Sequence, residues 1–182
     1  MSRKYPIAST RTIRRASEEG TVFDAYREAM SHLAATVSMV TTTVDERPWG
    51  LTISSCCSVS VAPPTVLISV ATQTASAAAI RREGRFGLSI LGRRGREAAL
   101  AGSVQGTPKF LEEHCLPDQS RTPIVRGALA HLDCSVIKEI EVVDHTVFFG
   151  EVDDVIMFKG ERPLLYYARD YAFLEDETPW WS

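Results

Sequence analysis

The sequence predicts a mainly β chain closed into an antiparallel barrel with a few flanking helices, and three observations carry that expectation. Ala130, Leu132, Cys134, Val136, Ile140 and Val142 alternate with His131, Asp133, Ser135, Glu139 and Glu141, the period of two that marks a half-buried strand. Val37–Val44 reads VSMVTTTV, and a run so rich in β-branched residues suits a pleated surface. Six or seven such strands follow one another through short turns, without the regular β-α-β-α alternation of a doubly wound parallel sheet.

Taken in order, the first element is a helix from Val22 to Ala35. Thr21 and Asp24 form an S/T-x-x-D/E start signal, and Phe23, Tyr26, Met30, Leu33 and Ala34 recur at helical spacing as one apolar stripe. After the Val37–Val44 strand the chain turns over Asp45–Pro48 and starts a second strand at Gly50–Ser54. Pro63-Pro64 cannot lie in a central strand, so it separates Ser58–Val61 from Thr65–Ala71. A short helix over Ala75–Arg82, a strand at Phe86–Leu91 and a helix near Arg94–Ala101 come next. Gly102–Pro123 is a long loop with one helical turn. The alternating strand then pairs in a hairpin with Thr146–Met157, and Leu164–Ala168 and Tyr171–Leu174 are short terminal strands. The whole forms one domain over 21–175, between a flexible arm at 1–20 and a tail at 176–182.

With 182 residues at 20.1 kDa, such a domain buries enough surface to need neither disulfides nor a structural metal. Its 20 basic and 23 acidic side chains leave a net charge of −3, which disfavours nucleic acid as the main partner. Cysteines 56, 57, 115 and 134 include no CxxC pair. With no signal peptide in view, they read as reduced thiols in a cytoplasmic protein. No phosphate-binding glycine loop, nucleophile elbow or zinc-protease motif occurs. His131 and Cys134 fall on opposite faces of a strand, so no metal site is expected. His32 and His131 read as solvated, and His145 after Asp144 sits at a hairpin start.

One stretch departs from the average composition. The 33 residues from Pro48 to Ile80 carry no charged side chain, where roughly eight would be ordinary. Serines, threonines and prolines interrupt it throughout, so it does not span a membrane. Arginines begin directly after it, at Arg81, Arg82, Arg85, Arg93, Arg94 and Arg96. They are either solvated helix faces or an attraction for a phosphorylated small molecule.

Within that window, Trp49-Gly50-Leu51-Thr52-Ile53-Ser54-Ser55-Cys56-Cys57-Ser58-Val59-Ser60, followed by Pro63-Pro64 and a strand, resembles the signature of the flavin reductase-like family. Arg85–Leu91, Asp144-His145-Thr146-Val147-Phe148-Phe149-Gly150-Glu151-Val152 and Pro163–Tyr167 with Tyr171 agree in order. The chain departs from the family at Ser54 (often Asn), at Cys56 and Cys57 (Phe and its neighbour), and at Gly95 (often Gln). Lys109-Phe110 stands for a common Arg-Phe, and Val143 for a usual Gly.

The resemblance implies the FMN-binding split-barrel fold, of Greek-key type. It also implies an NAD(P)H:flavin oxidoreductase that reduces FMN or FAD with NADH or NADPH and passes reduced flavin to a separate monooxygenase, as a homodimer. On it, Thr52, Ile53, Ser54 and Ser55 line the edge of the flavin ring, and Ser58 and Ser60 support that loop. Ala71, Thr72, Gln73 and Ser76 reach the ribityl chain and phosphate, the last at a helix start suited to anions. His145 is the catalytic residue, orienting the nicotinamide or its ribose phosphates, and Phe110 and Tyr171 cover the site. The Arg81 end of the window falls on the phosphate side. Hydride transfer between cofactors asks little of acid–base groups, so the missing triad agrees with this activity. The alternatives are a non-catalytic flavin store or sensor on the same barrel, and an oxidase of the pyridoxamine-phosphate type.

Overall fold

The computed structural model describes residues 21–104, 106–117, 120–159 and 162–174. The expected arm at 1–20 and tail at 176–182 lie outside them. The chain divides into a segment 1–33 and a body 34–182.

In the first segment, helix α1 spans Val22–Ser31 and none of its residues is buried. The Thr21 hydroxyl accepts from the Asp24 N–H at 3.2 Å and donates to the Asp24 carboxylate. The helix stops short of the expected Ala35, which instead opens a strand.

The body holds β1 (Ala35–Thr36), β2 (Ser38–Val44), β3 (Arg47–Ile53), β4 (Cys56–Val61), β5 (Pro64–Ala71), helix α2 (Ala75–Glu83), β6 (Arg85–Leu91), helix α3 (Arg96–Ser103), β7 (Ala128–Val142), β8 (His145–Met157), β9 (Leu164–Tyr167) and β10 (Asp170–Phe173). A 3-10 turn at Glu112–His114 is the helical turn foreseen in the long loop. The β2–β3 turn is tighter than expected. Asp45 and Glu46 alone make it, both at positive φ, and Pro48 lies within β3 opposite Thr43. Proline is tolerated there because β3 is an edge strand.

Seven strands pair antiparallel in the order β3-β2-β6-β7-β8-β5-β4, and β1, β9 and β10 form a separate three-stranded sheet. The two end strands of the large sheet, β3 and β4, are consecutive in the chain and joined by Ser54-Ser55 alone. A seven-stranded sheet can bring its edges within two residues of each other only by curling round on itself. The two edge strands of the curled sheet thus meet at Ser54-Ser55, with no ladder between β3 and β4 among the described residues.

Two apolar clusters use opposite faces of the same strands, since neighbours on a strand point to opposite sides. Val40, Phe86, Leu88, Ile68, Cys134 and Phe148 belong to one. Met39, Leu91, Ala98, Leu111, Val125 and Leu164 belong to the other, which α3 and the long loop cover. This corrects the half-buried reading of β7. His131, expected to be solvated, is fully buried, and Asp133 nearly so. Neighbouring β6 and the long loop both reach them: Ser89 Oγ on β6 is 2.9 Å from His131 Nδ1, and Thr122 Oγ1 in the loop is 3.0 Å from His131 Nε2. Thr122 Oγ1 also donates to the Asp133 carboxylate. Among the described residues no helix is long and apolar enough to cross a membrane.

Candidate active site

A cavity of 940 Å³ opens at the place where β3 passes into β4. Its floor comes from the charge-free window. Thr52, Ile53, Ser54 and Ser55 form one wall, and Ala71, Gln73 and Ser76 form another. Antiparallel pairing sets the second wall against the β7–β8 turn. Ala71 lies opposite His145, the Thr72 N–H donates to the Asp144 carbonyl at 2.9 Å, and the Thr72 and Thr146 hydroxyls meet at 3.0 Å. Segments more than 70 residues apart are so fixed side by side, and His145 completes the cavity.

His145 Nδ1–H donates to the Asp144 carboxylate at 2.8 Å. That hydrogen bond holds the Asp144 carboxyl below the usual carboxylate range. With Nδ1 so committed, Nε2 is the nitrogen left to meet a ligand. Helix α2 begins at Ala75 after the N-cap Thr74, whose hydroxyl accepts from the Ala77 N–H at 3.2 Å. The first amides of a helix lack partners within it, and Ala75 and Ser76 line the cavity. This end suits an anion.

Other expected residues lie elsewhere. Ser58 and Ser60 are on β4 outside the cavity wall, where Ser60 Oγ accepts from the Ala62 N–H at 3.2 Å and so shapes the turn. Thr72 acts through the hydrogen bonds just described. Phe110 packs edge-on against Trp49 with ring centroids 5.0 Å apart, and the Arg47 guanidinium stands 3.6 Å above it. Tyr171 lines a neighbouring cavity rather than this one. Arg81 is not among the residues lining this cavity; it pairs with Glu139 at 3.1 Å and Glu141 at 2.6 Å. Arg82 likewise pairs with Glu83 at 2.9 Å.

The sequence reading missed Trp49, Ser103 and the segment Gly106–Lys109, all of which line the cavity. The buried Trp49 Nε1–H donates to Ser76 Oγ at 3.0 Å, tying β3 to the start of α2. The long loop lies along β3 through two backbone bonds, Gly50 N–H to the Lys109 carbonyl at 3.0 Å and Leu111 N–H to the Pro48 carbonyl at 2.9 Å. Lys109 thereby turns inward, with Nζ donating to the Gly102 carbonyl at 2.7 Å. Burial lowers its pKa. Among the described residues lining the cavity, Lys109 and His145 are the two that can carry charge, and none is a carboxylate. No described group of His, Cys, Asp and Glu is arranged to hold a metal.

A cleft lined mostly by uncharged side chains, with a helix start and one lysine, fits a flat heteroaromatic ring bearing a polar edge and a phosphate. Residues 30–175 match the model of the flavin reductase like domain. The chain belongs to that family.

Among its relatives, it is 34% identical to the FMN reductase (NADH) RutF 2 of Methylorubrum extorquens, over 82% of this chain and 88% of that protein. It is 31% identical to the reductase subunit HsaB of a flavin-dependent monooxygenase from Rhodococcus jostii, over 85% and 82%. The solved structure of the NADH:FAD oxidoreductase SgcE6 of Streptomyces globisporus superposes with a TM-score of 0.75 at 26% identity, covering 85% of this chain and 94% of that one.

Proposed function

We propose that this chain is an NAD(P)H:flavin oxidoreductase that reduces FMN or FAD and supplies the reduced flavin to a separate monooxygenase. The observation that carries the reading is the cavity itself, whose described lining is mostly uncharged Ser, Thr and backbone with Lys109 and His145, includes no carboxylate, and has a helix start at one end. Bound flavin and nicotinamide supply the hydride chemistry between them. The chain's residues bind and orient. Thr52–Ser55 offer backbone and hydroxyl groups to a ring edge, and their lack of charge leaves the ring's own electronics undisturbed. The start of α2 and Lys109 favour a phosphate. His145 is held through Nδ1 by Asp144, and its Nε2 is the atom we assign to orienting the nicotinamide. No proton abstraction from carbon is needed for hydride transfer between the two cofactors.

The relatives named as NADH-dependent reductases and as monooxygenase reductase subunits support the same reading. A cytoplasmic homodimer completes it. Val59, Val61, Ile137, Ile140 and Val142 are exposed apolar side chains on the barrel, and such surface is what a second copy would cover.

The test is steady-state consumption of NADH and NADPH with FMN, FAD or no flavin added. Flavin-dependent oxidation well above the flavin-free rate is expected. Tight flavin binding without turnover would overturn the reductase and leave a flavin store or sensor.

A further inference from the structure

A second cavity, of 430 Å³, adjoins the first. The two share Thr52, Ile53, Ser54 and Ser103, so they are two ends of one cleft around the closing edge of the barrel. The rest of the second cavity comes from parts of the chain that the first does not use: Arg96 at the start of α3, Tyr166 on β9, Arg169 in the β9–β10 turn and Tyr171 on β10.

Its charge differs from the first cavity and from the rest of the arginine-rich surface. Arg47, Arg81, Arg82 and Arg121 each pair with a carboxylate. Among the described residues neither Arg96 nor Arg169 does. Among the described residues Asp170 is the one acid lining this cavity, and its carboxylate accepts from the Tyr171 N–H at 2.7 Å. Arg96 stands 5.7 Å from the centroid of the Tyr171 ring, which is itself edge-on to Tyr166 at 5.9 Å. Burial raises the Tyr171 pKa, so the ring stays neutral and its face remains a partner for a cation. Arg169 has a φ of 67° in a two-residue turn with Ala168, where Asn-Gly would be the undemanding choice. Two guanidinium groups without carboxylate partners, facing one cavity, are a receptor for a polyanion. Arginine is suited to the role because its planar fork of donors matches phosphate oxygens.

We propose that this second cavity binds the diphosphate of the nicotinamide dinucleotide, with Arg96 and Arg169 as its anion ligands and Tyr171 as the ring that positions Arg96. The assignment rests on the reductase reading. It favours the nicotinamide over the flavin dinucleotide because the flavin phosphate already has a place at the other end, at Ser76 and Lys109, and neither residue lines the second cavity. The shared wall, Thr52–Ser54, is where a flavin ring edge lies. A dinucleotide that stacks its nicotinamide on that ring and runs away from the flavin phosphate carries its diphosphate into the second cavity.

The experiment compares wild type with Arg96→Gln, Arg169→Gln and the double variant. Three quantities are measured: KM for NADH and for reduced nicotinamide mononucleotide, dissociation constants for FMN and FAD by fluorescence quenching, and binding of ADP to the flavin-free protein by calorimetry. Each substitution is expected to raise KM for NADH about tenfold, the size of a lost charge-assisted hydrogen bond. KM for the mononucleotide and both flavin constants stay put, and the double variant loses ADP binding. Equal shifts for NADH and the mononucleotide, or no shift, overturn the assignment. So does a change confined to FAD relative to FMN, which would make the diphosphate the flavin's. A wild type without turnover defeats the reductase reading instead, and the ADP measurement then still decides whether the two arginines form an anion site.

Discussion

Trp49 and His145 show how differently two site residues can announce themselves. His145 follows Asp144 in a motif that is local in sequence, and the hydrogen bond between them is local too. Replacing His145 with Ala is expected to raise KM for NADH roughly threefold to tenfold, or to lower kcat by a similar factor, while flavin affinity stays unchanged. Kinetic constants equal to wild type would remove His145 from the site. Trp49 gave no such sign, because its partner Ser76 lies 27 residues away across the barrel edge. Changing Trp49 to Phe keeps an aromatic ring in place and deletes only the donor to Ser76. If that hydrogen bond positions the start of α2 for phosphate, FMN affinity falls roughly fivefold to tenfold, the worth of about 1 kcal/mol. Riboflavin, which has no phosphate, is the control. Equal weakening of FMN and riboflavin would mean that Trp49 acts through ring packing alone.

At the scale of elements, the strands were legible because their periodicity is a local property. Every strand of the large sheet was anticipated to within about three residues at either end. The long loop was legible only as a loop. Its path along β3 and over β7 depends on tertiary contacts that leave no period in the sequence. Hence His131 and Asp133 were assigned to solvent, and the Gly106–Lys109 wall of the site was missed.

Helix α3 offers a related case, since its approach to the site depends on one glycine. A methyl group at Gly102 would stand 2.5 Å from both Met39 Cε and Thr52 Oγ1, and 3.0 Å from the Thr52 backbone N. That closeness lets the Thr52 hydroxyl donate to the Ala99 carbonyl at 2.7 Å. Gly102→Ala should therefore push the last turn of α3 away from Thr52 and cost about 1–3 kcal/mol of stability, read by chemical denaturation. Flavin affinity should fall with it, because Thr52 lines the candidate cavity. An unchanged flavin dissociation constant in a destabilised variant would separate α3 from the site.

For the molecule as a whole, the question is whether the inner and outer clusters are one cooperative core or two layers. They share strands: β2 sends Met39 to one side and Val40 to the other, and β6 likewise sends Leu91 and Leu88. Opening the outer layer therefore unseats the backbone that presents the inner one. Each layer carries its own reporter thiol. Cys115 belongs to the outer cluster and Cys134 to the inner, while Cys57 is exposed. Burial pushes the Cys115 thiol up to about 11 and the Cys134 thiol up to about 12. Near neutral pH both are then protonated, and only the thiolate attacks an alkylating agent. Cys57 is expected to react at once. Cys115 and Cys134 are expected to react slowly and at a common rate set by global unfolding. Leu111→Ala removes a fully buried side chain from the outer cluster alone, at a cost of about 2–4 kcal/mol. In a single cooperative body it accelerates labelling of both buried thiols by the same factor, although Cys134 lies in the other cluster. Labelling of Cys115 alone in that variant would show that α3 and the long loop, which wall the candidate site, open as a separate layer over an intact barrel.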